Sequence, residues 1–291
     1  MPTLTPMEEW MEKKDSERIK REKAFVGSLA PLYKEQRDKE AGIVKSLYTD
    51  LSNREGLLEK QELYKYGRDK KIKDQIKAIH KETGKKEIAL LRSELLREME
   101  EEQFETLFLL YVMGSNVKKT PLSKKDIQKL LKETHLDETF LQTIARHKNE
   151  QTASTFNKIL TASIQGFTIK QAVDEVSKTA KTGLNKSVLH YQTEVSHKKG
   201  VVNSKVFVRY GVEKYQWIAA LSERTCQVCG GRDKQVFSEG VYSTPAHPRC
   251  RCTIIPYFTQ RSLRRARDPQ TNKNYLVDDI SFNQWKNTLT T

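Results

Sequence analysis

This sequence predicts a mainly α-helical chain, with an extended N-terminal helical region and a helical middle, that ends in a small β knuckle stapled by metal. Three observations predict it. Apolar residues recur at helical spacing along most of the chain. Short aromatic and β-branched runs separated by turn residues begin only after Gly211. All four cysteines fall between positions 226 and 252. Of the 291 residues, 36% are apolar and 31% charged, a balance that suits helices with one wet face better than a single compact globule. The length predicts two domains, or one with long helical extensions.

Residues 1–116 read as an N-terminal helical arm or bundle. Phe104, Leu107, Phe108, Tyr111 and Val112 follow the spacing of one apolar helical stripe, and Leu90, Leu91 and Leu95 make an earlier one. Dense charge such as Glu98, Glu100, Glu101 and Glu102 lies between them. No heptad run is sustained, which favours a bundle or an antiparallel hairpin over a continuous coiled coil. Gly114-Ser115-Asn116 ends the region.

Residues 117–211 form the helical middle. Ser123 stands three before Asp126, a capping signature for a helix carrying Ile127, Leu130 and Leu131. Phe140, Leu141 and Ile144 mark a second, short helix. Phe156, Ile159, Leu160 and Ile164 mark another, stopped at Gly166. Thr168 and Gln171 form a capping-box pair for a helix whose buried face is Ile169, Ala172, Val173 and Val176. After Gly183, Leu184, Val188, Tyr191, Val195 and Val202 stay in helical phase to about Tyr210, and Gly211 is a good stop. The knuckle takes residues 212–258, with strands from Tyr215 to Leu221, Lys234 to Phe237 and Cys252 to Phe258. Gly230-Gly231 and Ser243-Thr244-Pro245 mark its turns. Residues 259–291 read as a polar, basic tail in which Arg261, Arg264, Arg265 and Arg267 lie close together.

Lys and Arg number 52 and Asp and Glu 38, a formal charge of 52 − 38 = +14. Such a surplus fits a polyanionic partner, because phosphates draw Lys and Arg through counterion release, and equally fits a solvated surface. No apolar run approaches the ~20 residues that span a membrane; the longest is Leu107–Met113. The N-terminus carries no apolar signal core, so synthesis in the cytoplasm is expected.

The chemistry sits in Cys226-Gln227-Val228-Cys229, then 17 residues, then His247-Pro248-Arg249-Cys250-Arg251-Cys252. A C-x-x-C turn sets two thiolates on one side of a tight loop, which suits tetrahedral zinc with Zn–S near ~2.3 Å, and a second ligand pair from the returning chain closes the site. Cys226, Cys229 and Cys250 are the firmest ligands; His247 and Cys252 compete for the fourth place. Disulfides and free thiols are the competing readings. Arg224, Arg249 and Arg251 beside the ligands offset the charge of the thiolates, or contact phosphate. A site that fills every position with protein ligands is structural rather than catalytic.

Enzyme signatures are absent: no H-E-x-x-H, no Walker A, no G-x-S-x-G and no zinc-deaminase pattern. His80, His135, His147, His190 and His197 read as surface or packing residues. Glu194 reads as a helix-surface carboxylate in an ion pair, with an acid/base role as the alternative.

Trp217 to Cys229, with Arg224-Thr225-Cys226 at its centre, then Asp233, Val236-Phe237, and Pro245 through His247-Pro248-Arg249-Cys250-Arg251-Cys252 to Pro256, together resemble the C-terminal motif of the phage Mu F-like head-morphogenesis family. Upstream, Gln192-Thr193-Glu194 resembles the family's Arg-Thr-Glu helix, and Gly166-Phe167-Thr168-Ile169 the turn before its central helix. The resemblance covers about Thr152 to Phe258. Gln192 stands where Arg is usual, and Lys234 where Gly commonly follows the Asp. The resemblance implies a non-enzymatic minor head protein of a tailed bacteriophage, associated with the portal protein and other head proteins during procapsid assembly. It implies a place inside the head near the portal, in some phages touching double-stranded DNA. The N-terminal helices are then expected to dock on the portal. Arg249, Arg251, Arg261, Arg264, Arg265 and Arg267 are expected to meet DNA without sequence preference. The alternatives are a free-standing zinc-dependent DNA-binding protein, or an enzyme or toxin on a related scaffold.

Overall fold

The computed structural model describes residues 6–112, 120–134, 137–238, 244–257, 263–268, 270–271, 273–278 and 280–284. The chain is mainly helical with a small antiparallel sheet at its C-terminal end, as the periodicities require. In order come α1 (Pro6–Leu51), α2 (Lys60–Tyr64), a 3₁₀ turn, α3 (Arg68–Val112), α4 (Lys124–Leu130), α5 (Phe140–Ile164) and α6 (Ile169–Arg209). Then follow β1 (Lys214–Ile218), α7 (Gln227–Arg232), β2 (Val236–Ser238), β3 (Thr253–Pro256), β4 (Leu263–Arg267) and β5 (Asn274–Asp278). Among the described residues no helix is long and apolar enough to cross a membrane. Two compact units result: Met1–Glu94 with Leu136–Leu189, and Leu95–His135 with His190–Thr291.

In the first unit α1 and the N-terminal part of α3 run antiparallel, since Lys39 reaches Glu82 and Lys86 reaches Glu35, at 2.8 and 2.9 Å. Val44, Tyr48, Leu63, Ile72, Ile76, Phe156, Ile159, Ala172 and Val176 form one apolar core. Next to it along the helices comes a buried polar layer. Glu40 bonds the His80 ring at 2.5 Å, and His80 also meets Thr152 Oγ1 at 2.7 Å. Lys148 Nζ donates to Tyr33 Oη at 2.6 Å and pairs with Glu87 at 2.8 Å. Tyr33 and Ser187 hydroxyls both bond Glu87. The Thr139/Gln142 capping box starts α5, and the Thr168/Gln171 pair starts α6 as expected.

In the second unit the C-terminal part of α3 buries Glu98, Met99, Glu102, Gln103, Thr106, Leu107 and Leu110 while Phe104, Phe108 and Tyr111 stay exposed. The polar residues go inward because α6 supplies their partners. Lys199 reaches Glu98 at 2.8 Å and Glu102 at 3.4 Å, and Asn203 donates to Glu102 at 2.9 Å. Ser123 caps α4 by accepting the Asp126 N–H at 3.1 Å. The three-stranded sheet has the order β2-β1-β3, all antiparallel, and β4 and β5 form a separate antiparallel pair.

Several sequence expectations are corrected. The two helices read at Phe140 and Phe156 are one, α5, because the residues between them, Lys148, Gln151 and Thr155, are buried in the polar layer at the same helical phase. The two helices read on either side of Gly183 are likewise one, α6. Gly183 sits inside it because a Cβ there would run into Gln151 Nε2 and come within 2.8 Å of Tyr33 Cε1. The stripe read from Phe104 to Val112 is split, since Leu107 is buried and Phe104 exposed. Gly230-Gly231 lies within α7 rather than forming a strand-to-strand turn. Part of the tail is the β4–β5 pair, and its Ala266 and Phe282 pack on Leu221. Gly114-Ser115-Asn116, His135 and Arg261 lie outside the described residues.

Candidate metal centre

The knuckle is built on β1, the middle strand. Trp217 is fully buried within it, with the Arg232 guanidinium 5.4 Å from its ring centroid, a cation–π contact that ties α7 to the sheet. Asp233 closes the end of α7. Its Oδ1 accepts the Ala219 N–H at 2.9 Å and its Oδ2 the Phe282 N–H at 2.7 Å. Lys234 follows with φ 62, in the left-handed region that favours glycine, so the position where the resembling family carries Gly has a backbone that asks for one.

Cys226 caps α7, its Sγ accepting the Cys229 N–H at 3.4 Å. The short helix therefore presents both thiols of the C-x-x-C turn on one side. The returning chain brings His247 Nε2 to 3.3 Å and Cys250 Sγ to 3.8 Å from Cys229 Sγ. Cys226, Cys229 and His247 form one triad and Cys229, Cys250 and Cys252 another, each with its ligand atoms within 4.8 Å of one another. No two of these cysteines are joined by a disulfide. The loop that carries His247 and Cys250 is held to α6 at two points. The Arg249 N–H meets Thr193 Oγ1 at 3.5 Å, and Gly200 lies so close to Thr244 that a Cβ would come within 2.9 Å of its carbonyl oxygen.

These residues fit a metal ion. In a tetrahedral site with Zn–S near ~2.3 Å, two sulfurs stand about 3.8 Å apart, the Cys229–Cys250 separation seen here. His247 Nδ1 lies 2.8 Å from the Pro248 carbonyl oxygen. A carbonyl only accepts, so the ring proton sits on Nδ1 and the Nε2 lone pair faces the cysteines. The donor set is three buried thiols, one half-buried thiol and one imidazole.

The thiols disagree about their protons. Burial pushes Cys229 up to about 12, and charge on Cys250 adds to it. Cys250 is drawn down to about 5 by its hydrogen bond with Cys252, against burial. Cys252 is driven up by that same bond and by burial. Burial raises Cys226, but the Cys229 N–H bond and its thiol outweigh this and the net shift is down. Burial opposes a charge on His247, but the Pro248 carbonyl and nearby Cys250 outweigh it. Crowded thiolates repel one another in a buried site, and a bound dication removes that repulsion.

Of the sequence-predicted residues, the five Cys and His donors come together in this one cluster. Arg249 and Arg251 are exposed next to it in the chain, Arg264, Arg265 and Arg267 lie on β4, and Arg261 is outside the described residues. Glu194 is corrected. It is 4% exposed, not a surface carboxylate, and lies 3.7 Å from His190 and 4.0 Å from Lys198. Burial pushes its carboxyl up, but the His190 ring beside it and the cations around it leave it below the usual range. Sequence reading did not single out Thr193 as the anchor of the knuckle loop. Nor did it find the Tyr33, Glu87, Lys148 and Ser187 cluster, although polar residues at apolar helical phase, as in Ile144, Lys148, Gln151 and Thr155, were the available signal. Compared with known protein families, curated proteins and solved structures, the chain matches none.

Proposed function

We propose that this chain is a minor head protein of a tailed bacteriophage, and that its knuckle is closed by one structural zinc ion. The observation that carries the reading is the convergence of Cys226, Cys229, His247, Cys250 and Cys252, because the two segments that supply them are the ones that resemble the Mu F-like motif. Thr193 and the left-handed backbone at Lys234 support it further, since both fall in the resembling stretch and both have a structural task there. Zinc suits the donor set, for soft thiolates with one imidazole favour it over oxygen-seeking cations. When bound, it holds α7 and the 247–252 loop together.

In this reading the N-terminal helices dock on the portal protein during procapsid assembly. The chain then lies inside the head near the portal, in contact with other head proteins. Exposed Arg249 and Arg251, with the basic residues of β4, meet double-stranded DNA through its phosphates. The +14 charge supports contact of that sequence-independent kind.

Two measurements test this. Protein purified without chelator should carry about one zinc per chain, and Cys226→Ser and Cys250→Ser should each lose it. Absence of zinc from the wild type sinks the metal assignment. Co-expressed with a phage portal protein, the chain should sediment with the portal ring. If a zinc-loaded chain stays at the top of the gradient, the head-protein assignment is wrong. A free-standing DNA-binding protein would instead bind duplexes tightly and with base preference in isolation.

A further inference from the structure

The first unit holds a cleft that the head-protein reading does not use. It has a volume of about 220 Å³ and lies between α5 and α6, with Tyr33 of α1 among its lining residues. Three lysines line it: Lys158 from α5, and Lys178 and Lys186 from α6. We propose that this cleft binds the diphosphate group of a small phosphorylated molecule.

Charge comes first. Of the lining residues, Lys158, Lys178 and Lys186 are cationic and Glu150 is anionic. Their ion-pair partners are Glu175, shared by Lys158 and Lys178, and Arg146, which bridges Glu150 and Glu138. Counting all of these, four cations face three carboxylates, and His147 on the wall adds a second positive charge when protonated. An anion therefore gains on entry. The lysine side chains at the rim are 41%, 66% and 47% exposed, so they can turn towards a ligand without unpacking the unit. Each ammonium has three donors, and its single carboxylate partner here leaves donors for phosphate oxygens.

Spacing then selects the kind of anion. Lys178 and Lys186 are eight residues apart on one helix, about 12 Å along its axis. Lys158 stands with Lys178, since both reach Glu175. Lys186 stands at the other end, where it reaches Glu150 at 2.8 Å beside His147. One end thus offers two ammonium groups, and the other an ammonium and an imidazole. A single phosphate or carboxylate meets one end only, whereas two linked phosphates meet both. The inner wall does not compete for the ligand. Tyr33 is already bonded to Lys148, Glu87 and Ser187, and Gln151 donates to the Thr179 carbonyl at 3.1 Å.

The test is calorimetric titration of the full zinc-loaded chain with inorganic pyrophosphate, and in parallel with inorganic phosphate and a short DNA duplex. Pyrophosphate should bind saturably and more tightly than phosphate. Lys158→Ala with Lys178→Ala should weaken it at least about tenfold, and Lys186→Ala alone severalfold, as for lost hydrogen bonds to a charged group. Glu150→Gln, which frees Lys186, should tighten it. These surface substitutions leave the fold intact, which the unchanged helical circular dichroism of each variant checks. The proposal is overturned if pyrophosphate does not bind at millimolar concentration or if phosphate binds as tightly. It is equally overturned if only the duplex binds, or if the lysine variants bind pyrophosphate as the wild type does. The last result would place the anion elsewhere, for instance on the arginines of the knuckle, and would leave the head-protein reading untouched.

Discussion

The polar layer of the first unit and the Cys/His knuckle of the second both bury polar side chains, yet they solve the problem in opposite ways. In the polar layer donors face acceptors: Lys148 meets Glu87 and Tyr33, His80 meets Glu40 and Thr152, and Thr155 bonds Thr179 at 3.0 Å. Neighbouring helices bring most of the complement from the chain itself, with Gln36 Oε1 and Glu40 Oε2 the buried atoms left over. In the knuckle five electron-pair donors converge, each offering a lone pair to the same small region. Such a donor set calls for a cation supplied from solution. Burial of polar groups is therefore stable when the complement lies in the chain, and conditional when it must come from solution.

The largest effect is expected from removing the metal proposed for the knuckle. Chelation, or Cys229→Ser, should abolish hydrogen-exchange protection of β1–β3 and α7, a loss on the order of 10 kcal/mol of binding-coupled folding energy. The α1–α3–α5 amides should keep theirs. Uniform loss of protection across both units would mean that the knuckle is no separate conditional element.

Next in size comes the layer itself. Glu87 and Lys148 are both buried, so Lys148→Met strands a carboxylate and should cost about 3–5 kcal/mol in urea unfolding. Lys148→Met with Glu87→Leu should recover most of that, because two matched apolar side chains leave no charge unpaired. If the double variant is as unstable as the single one, the layer is not closed by that pair. Burial holds the Lys148 ammonium below its ordinary value of 10.5 despite Glu87. The unfolded chain therefore binds that proton more strongly, and the stability linked to Lys148 should rise with pH up to about that ordinary value. Tyr33, raised mainly by burial and then by Glu87, acts the other way: its share is full below the ordinary tyrosine range and declines above it.

A smaller effect separates the two close approaches on α6. At Gly200 an added methyl meets the Thr244 backbone, while at Gly183 its nearest neighbour is the end of the Gln151 side chain. Gly200→Ala should cost about 1–3 kcal/mol and weaken binding of the proposed zinc, because Thr244 belongs to the loop that carries His247. Gly183→Ala should leave zinc affinity unchanged. Equal zinc affinity in both variants would show that the loop does not lean on α6.

The smallest effect sits on the surface. The hydrogen bonds from Lys158 and then Lys178 hold Glu175 down to about 2. Its contribution is complete above the ordinary glutamate value and lost as pH falls towards 2. A melting-temperature difference between wild type and Glu175→Gln should be slight at pH 6 and gone at pH 2; one that survives at pH 2 would come from something other than this charge.

The helical class, the caps at Ser123 and Thr168, the three knuckle strands to within a few residues, and the five Cys and His residues that converge are all legible in the sequence. Each follows from local chemistry: periodicity, a hydroxyl three residues from its partner, β-branched runs, and thiols at C-x-x-C spacing. Which polar residues go inside is settled by packing between helices. Glu98 and Glu102 look wet in sequence and are buried, because Lys199 and Asn203 stand opposite them about a hundred residues later. Lys148 belongs to the core only because Tyr33 and Glu87 arrive at the same level on α1 and α3. In the same way α5 and α6 run through where two helices each were read, since complements on neighbouring helices make those buried polar positions and Gly183 affordable. Periodicity along one helix records which face is apolar. It holds no record of how four helices are set in register, and that register is what turns a lysine into a core residue.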